Sequence, residues 1–165
     1  TLVRSNPDDR VPRAGCPCHA RDGYLQKLIR AGYRVAIWDQ VEDPKTAKGM
    51  VRREVTQTVT PGTVTDPALL DPCSYNYIAG IASTRDGVGL AWLELSTGRF
   101  QATTVTLTEL ADELARLLPA ECLVAEDTVE QLGVDWLAEQ LGISLTCRAA
   151  WPFGVETCRR TLLEH

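Results

Sequence analysis

Residues Val35 to Leu70 read VAIWDQVEDPKTAKGMVRREVTQTVTPGTVTDPALL. A strand, a proline-led turn of helix, a basic strand and a Pro-Gly turn follow one another in a single block. The period of two from Tyr33 to Val41 sets Tyr33, Val35, Ile37 and Val41 on one side and Arg34 and Gln40 on the other, as in a half-buried strand. Asp43-Pro44 has the cap-then-proline order of a helix start, and Gly49 ends that helix within two turns. From Met50 to Thr60 the alternation returns, with Val51, Val55 and Val59 opposed by Arg52, Glu54, Thr56, Thr58 and Thr60. Pro61-Gly62, Asp66-Pro67 and Asp71-Pro72 then punctuate a dozen residues in the manner of a linker, which puts a domain boundary near Pro72.

On the N-terminal side of this block, Pro7, Pro12, Gly15 and Pro17 among charged residues predict loop or irregular strand to Ala20. A helix follows, with Asp22 as N-cap, Tyr24, Leu25, Leu28 and Ile29 at helical spacing, and Gly32 as its stop. On the C-terminal side, three strands are predicted at Tyr75–Ser83, Val88–Leu95 and Arg99–Thr106, joined by turns at Arg85-Asp86-Gly87 and Ser96-Thr97-Gly98. Thr106 and Glu109 have capping-box spacing, and Leu110, Leu114, Leu117 and Leu118 form an apolar stripe that Pro119 ends. Cys122–Ala125 reads as a strand, Thr128–Leu141 as helix broken at Gly133, Ile143–Cys147 as a strand and Val155–His165 as a last helix. Strands in series followed by alternating helix and strand imply a mixed sheet covered by helices.

The overall charge of -5 conceals a split. Residues 1–60 carry eleven Lys/Arg against seven Asp/Glu, and residues 61–165 carry six against fifteen. Only the first part suits a polyanion. Cys16, Cys18, Cys73, Cys122, Cys147 and Cys158 come with no secretory context, so reduced thiols are expected. No apolar run is long enough for a bilayer and the polar start TLVRSNPDDR is unlike a signal peptide; a soluble, cytoplasmic protein without membrane contact is expected.

Glu42-Asp43-Pro44, Lys48-Gly49, Arg53-Glu54-Val55 and Thr60-Pro61-Gly62-Thr63 sit where the bacterial MutS DNA mismatch-repair family has its own motifs, and the chain resembles that family over its whole length. Trp92, Gly98 and Phe100 look like family positions in the second half. The resemblance implies an α/β fold of two small domains. Residues 1–72 would be the C-terminal part of a partial, mixed-sheet mismatch-recognition domain I plus linker. Residues 73–165 would be most of the ribonuclease-H-like connector domain II, a mixed sheet with flanking helices truncated at its C-terminus. It further implies a parent that recognises mispaired or unpaired bases in duplex DNA, dimerises with a second MutS subunit, contacts MutL and uses ATP and magnesium elsewhere in its chain.

Family members read the mismatch with a Phe-x-Glu motif whose aromatic ring wedges beside the mispaired base. Here Phe100 and Phe153 are the only phenylalanines and neither is followed by Glu two residues on. The family places that motif shortly before the segment that Thr1-Leu2-Val3-Arg4 resembles, so the chain is expected to start after it. Nor does the sequence contain a Gly-x-x-x-x-Gly-Lys-Ser/Thr phosphate loop, so no cofactor and no enzymatic activity are expected of this stretch itself. A different class of function, a free-standing module whose acidic connector binds a repair partner such as MutL, is equally compatible with the sequence.

The basic group Lys45, Lys48, Arg52 and Arg53 is the candidate phosphate contact, because such binding needs cations gathered on one surface. Gly15-Cys16-Pro17-Cys18-His19-Ala20 resembles the family's Gly-Val-Pro-Tyr/His-His-Ala, a loop near DNA, which adds Cys16 and Pro17 to the candidate interface. Cys-x-Cys-His offers zinc three ligands, but a fourth has no recognisable spacing, so no metal is expected and Cys16 reads as a small apolar substitute. Glu94 and Glu126-Asp127 are the carboxylates a two-metal nuclease would need, but the centre of the first strand, Tyr77 to Ile81, offers no acidic ligand, so no catalytic residue is assigned. Trp38, Trp92, Trp136 and Trp151 are expected mainly in cores or domain contacts.

Overall fold

Two hydrophobic clusters organise the chain, and the sequence between them holds them together. The computed structural model describes residues 15–42, 51–71 and 74–164. The helix expected at Asp43–Gly49 lies outside the described residues.

The first cluster gathers Leu25, Ile29, Val59, Val64 and Leu69, with Val35, Ile37 and Leu70 packed on it. Helix α1 (Arg21–Arg30) supplies Leu25 and Ile29, four apart and so on one face. Gly32, at φ 81°, turns the chain out of the helix in a conformation that residues with a Cβ rarely adopt. Tyr24 and Leu28, expected on the apolar stripe, are exposed, because the cluster is too small to cover more than one edge of the helix. Strands β1 (Val35–Gln40) and β2 (Arg53–Val59) form a two-stranded antiparallel ribbon.

The ribbon departs from simple alternation. Val35 pairs with Val59 and Ile37 with Gln57, but Trp38 pairs with Val55, so the register slips between Ile37 and Trp38 and Thr56 is the extra residue of a bulge. Of the three valines expected on the buried face of this stretch, only Val59 is buried; Val55 is exposed and Val51 half-covered, while Thr60, expected outside, is buried.

The second cluster is larger and follows the predicted order closely. Strands β3 (Tyr77–Thr84), β4 (Gly87–Glu94), β5 (Arg99–Val105), β6 (Glu121–Ala125) and β7 (Ser144–Arg148) form a sheet in the order β5-β4-β3-β6-β7. The first three are antiparallel neighbours, and β3-β6-β7 run parallel. Helices α2 (Leu107–Leu117), α3 (Glu126–Leu132) and α4 (Val134–Leu141) make the crossovers. Ala79 and Ile81 of β3 and Val88, Leu90 and Trp92 of β4 face Leu110, Leu114, Leu117, Val134 and Leu137 in one core. Thr106 and Glu109 form the predicted capping box, each side chain accepting from the other's backbone N–H, at 3.3 and 2.8 Å. Gly133, at φ 59°, separates α3 from α4. Helix α5 (Val155–Glu164) follows and buries none of its residues.

Two expectations need correction. Trp92 is buried, but Trp38, Trp136 and Trp151 are exposed, since their elements present outer faces at those positions. Pro61 and Gly62 are no loose linker: with the exposed Thr63 they form a 3-10 turn, and both are buried where it packs on β3 and β6.

Candidate nucleic-acid interface

The basic strand brings its two described arginines to one end of the ribbon and sends them to opposite faces. Gln40 pairs with Arg53 and Trp38 with Val55, so these four side chains share a face. Asp39 and Glu54 pair on the other face. Two carboxylates set opposite each other repel, and each has a partner that offsets this: Thr56 Oγ1 donates to Asp39 Oδ2 at 2.7 Å, and the Arg52 guanidinium bonds Glu54.

Arg52 is therefore tied up in a surface ion pair with the acidic residue two positions on. The alternation that separates Arg53 from Glu54 is what puts Arg52 and Glu54 on one side. Arg52 also closes the end of the ribbon: its N–H donates to Glu42 Oε2 at 3.1 Å, and its carbonyl accepts from Val41 N–H at 3.1 Å. Arg53 stands exposed beside Trp38, which is 54% exposed, on a face whose other members are Val55 and Gln40. Among the described residues, that face carries a cation and an aromatic ring and no acid. Sequence reading missed Trp38 as a companion to Arg53 because only the bulge at Thr56 aligns them. Lys45 and Lys48 lie outside the described residues.

Cys16 and Pro17 are exposed ahead of the short turn Cys18–Ala20 that leads into α1, where Ala20 N–H donates to Pro17 O at 2.9 Å. Cys16 is thus a surface residue and not an apolar filler, which corrects that expectation. Among the described residues, no three His, Cys, Asp or Glu side chains converge as a metal site would need.

The carboxylates of the second sheet are equally informative. Glu94 pairs with Tyr77, at the start of β3, whereas Glu126 follows β6 beyond the level at which Val124 meets Ile81. The register thus sets Glu94 and Glu126-Asp127 at opposite ends of the sheet. Glu94 instead holds its own turn, accepting from Ser96 Oγ at 2.7 Å, Ser96 N–H at 3.2 Å and Thr97 N–H at 2.7 Å. These donors from Thr97 and Ser96 lower its pKa to about 2. Its acceptor capacity is spent on the turn.

The described residues thus form a two-stranded ribbon with a cationic aromatic face, followed by a mixed five-stranded sheet. Family comparison gives this arrangement a place. The model of MutS domain I matches residues 1–68 and that of MutS domain II matches residues 76–165. A DNA mismatch repair protein MutS from Methanothrix thermoacetophila is 53% identical over 126 residues, covering 74% of this chain and 15% of the relative. Its counterpart from Rhodopirellula baltica is 44% identical over an alignment of 187 residues, covering the whole chain and 20% of the relative. That from Symbiobacterium thermophilum is 42% identical over 160 residues, covering 94% and 18%. The chain belongs to the MutS DNA mismatch repair family and carries its domain I and its domain II, the connector. It spans a fifth or less of the length of these relatives. Among the described residues, no helix is long and apolar enough to cross a membrane.

Proposed function

We propose that this chain supplies the end of the mismatch-recognition domain and the connector of a MutS protein, with the division near Pro72, and that the ribbon end carrying Arg53 contacts the phosphate backbone of duplex DNA. The observation that carries this reading is the Trp38/Gln40/Val55/Arg53 face, cationic and, among the described residues, free of acid, in a chain whose relatives are named as mismatch repair proteins. Lys45, Lys48 and, through its outer guanidinium edge, Arg52 extend the contact, with Cys16 and Pro17 at the approach to α1. The role is positioning: phosphate contacts set register on the duplex and carry no sequence information. Discrimination of mispaired from paired bases needs the Phe-x-Glu motif of a MutS domain I, which residues 1–72 do not contain, and the ATP and magnesium chemistry belongs to other domains of the parent.

The test is binding of a fluorescent duplex across a salt series. Arg53→Glu weakens binding equally for matched and mismatched duplex, and lowers the slope of log affinity against log salt by about one. An unchanged slope and affinity at low salt would sink the assignment.

A second reading rests on the acidic balance of residues 61–165, which disfavours phosphate and suits a protein partner. In this reading the connector binds a MutL-like protein, and a second MutS subunit completes the assembly around DNA. Capture of a MutL-like protein by a chain that shows no salt-sensitive duplex affinity would favour it over the first.

A further inference from the structure

Glu121 is 1% exposed, lies on the interior strand β6, and serves neither the ribbon face nor the turn at Glu94. Its side chain points to the face of the sheet away from α2, as the pairing of Ile78 with Glu121 requires. There its carboxyl meets donors from two parts of the chain. Thr60 Oγ1 donates to Oε2, in a short contact, and Gly62 N–H donates to the same oxygen at 3.2 Å. Thr146 Oγ1, from β7, donates to Oε1 at 2.7 Å. Both oxygens are satisfied, one from within the connector and the other wholly from residues in the stretch matched by domain I.

The donors cannot drift with a flexible tether. Val59 and Val64, which bracket the turn, are 5% and 3% exposed and belong to the first core. Thr60 and Thr63 close the turn on itself, Thr60 N–H donating to Thr63 Oγ1 at 3.1 Å and Thr63 N–H to Thr60 O at 3.1 Å. Asn76 Nδ2 adds a bond to Pro61 O at 3.0 Å. Gly62 allows the close approach: a Cβ there would stand 2.7 Å from Glu121 Cβ and 3.0 Å from Ile78 Cβ. A further polar contact between the two parts, Ser144 Oγ to Gly32 O at 3.3 Å, is long and exposed.

We infer that Glu121 is the joint that fixes domain I to the connector, a buried carboxyl clasping the Thr60-Pro61-Gly62 turn so that ribbon and sheet move as one body. The inference concerns only how two parts of the chain are held, so it stands or falls separately from the DNA reading. In a MutS protein it makes the joint the route by which the orientation of the reading domain reaches the connector.

The experiment is nitrogen-15 NMR relaxation of the whole chain without DNA, comparing tumbling of ribbon amides (35–40 and 53–59) with those of the sheet. In the unaltered protein both report one correlation time. In Glu121→Ala the ribbon tumbles faster than the sheet, while β4 and β5 keep their chemical shifts. If Glu121→Ala fails to fold, Thr60→Val decides, since it removes a donor from the turn and leaves the connector sequence intact; divergent tumbling again supports the joint. Two correlation times in the unaltered protein, a single one in folded Glu121→Ala, or a single one in Thr60→Val where it is the deciding variant, overturns it.

Discussion

Glu94 shows at the scale of one residue how a group suited to catalysis becomes part of the scaffold. Its pKa is lowered by donors present only in the folded turn, so ionised Glu94 stabilises the fold above the ordinary carboxylate range, and that contribution fades as pH falls toward about 2. The melting temperature of the unaltered protein should therefore exceed that of Glu94→Gln near neutral pH, and the gap should narrow between about pH 4.5 and 2. Cys122 gives a second residue-level expectation. Burial, then the neighbouring Glu121 charge, pushes its thiol up to about 12, leaving almost no thiolate at neutral pH. Iodoacetamide at pH 8 should label the exposed Cys16, Cys18, Cys147 and Cys158 and spare Cys122 until denaturant is added, as read by mass spectrometry.

The elements differ in how openly the sequence declares them, and stability measurements should reflect that difference. Removing the capping hydroxyl by Thr106→Ala should cost about 1 kcal/mol, and Leu114→Ala, which empties a site 2% exposed, about 2 to 5 kcal/mol in urea unfolding. Both features were legible because their causes are local, a cap three residues from its partner and a stripe at helical period, and so was the glycine at the break between α3 and α4. Strands β3 to β5 were equally legible, since turn residues bracket each one. The bulge at Thr56 was not, because alternation continues through the slip and only the pairing partner reveals it; the face holding Trp38 beside Arg53 went unread for that reason. The Pro61-Gly62 turn was misjudged for another. A Pro-Gly pair marks a turn equally well in a solvated linker and in a docked one, and the residue that decides, Glu121, lies 59 positions from Gly62.

Across the whole molecule, two cores of unequal size share one short connection. Among the described residues the smaller rests on helix α1 and a two-stranded ribbon, which by itself has little stability, and the larger on five strands and three packed helices. Docking the turn on β6 therefore lends the ribbon the rigidity of the connector. Because the turn bonds to Glu121, whose other carboxyl oxygen is held by Thr146, that rigidity comes late in time as well as from far along the sequence. As the polypeptide leaves the ribosome, the turn emerges early and has nothing to grip until β6 has paired with β3 and β7 has followed. The N-terminal part must wait through the synthesis of some eighty further residues, counting from Gly62 to Thr146, before its orientation is set. A newborn chain halted before β7 would possess its basic surface with no fixed direction in which to present it.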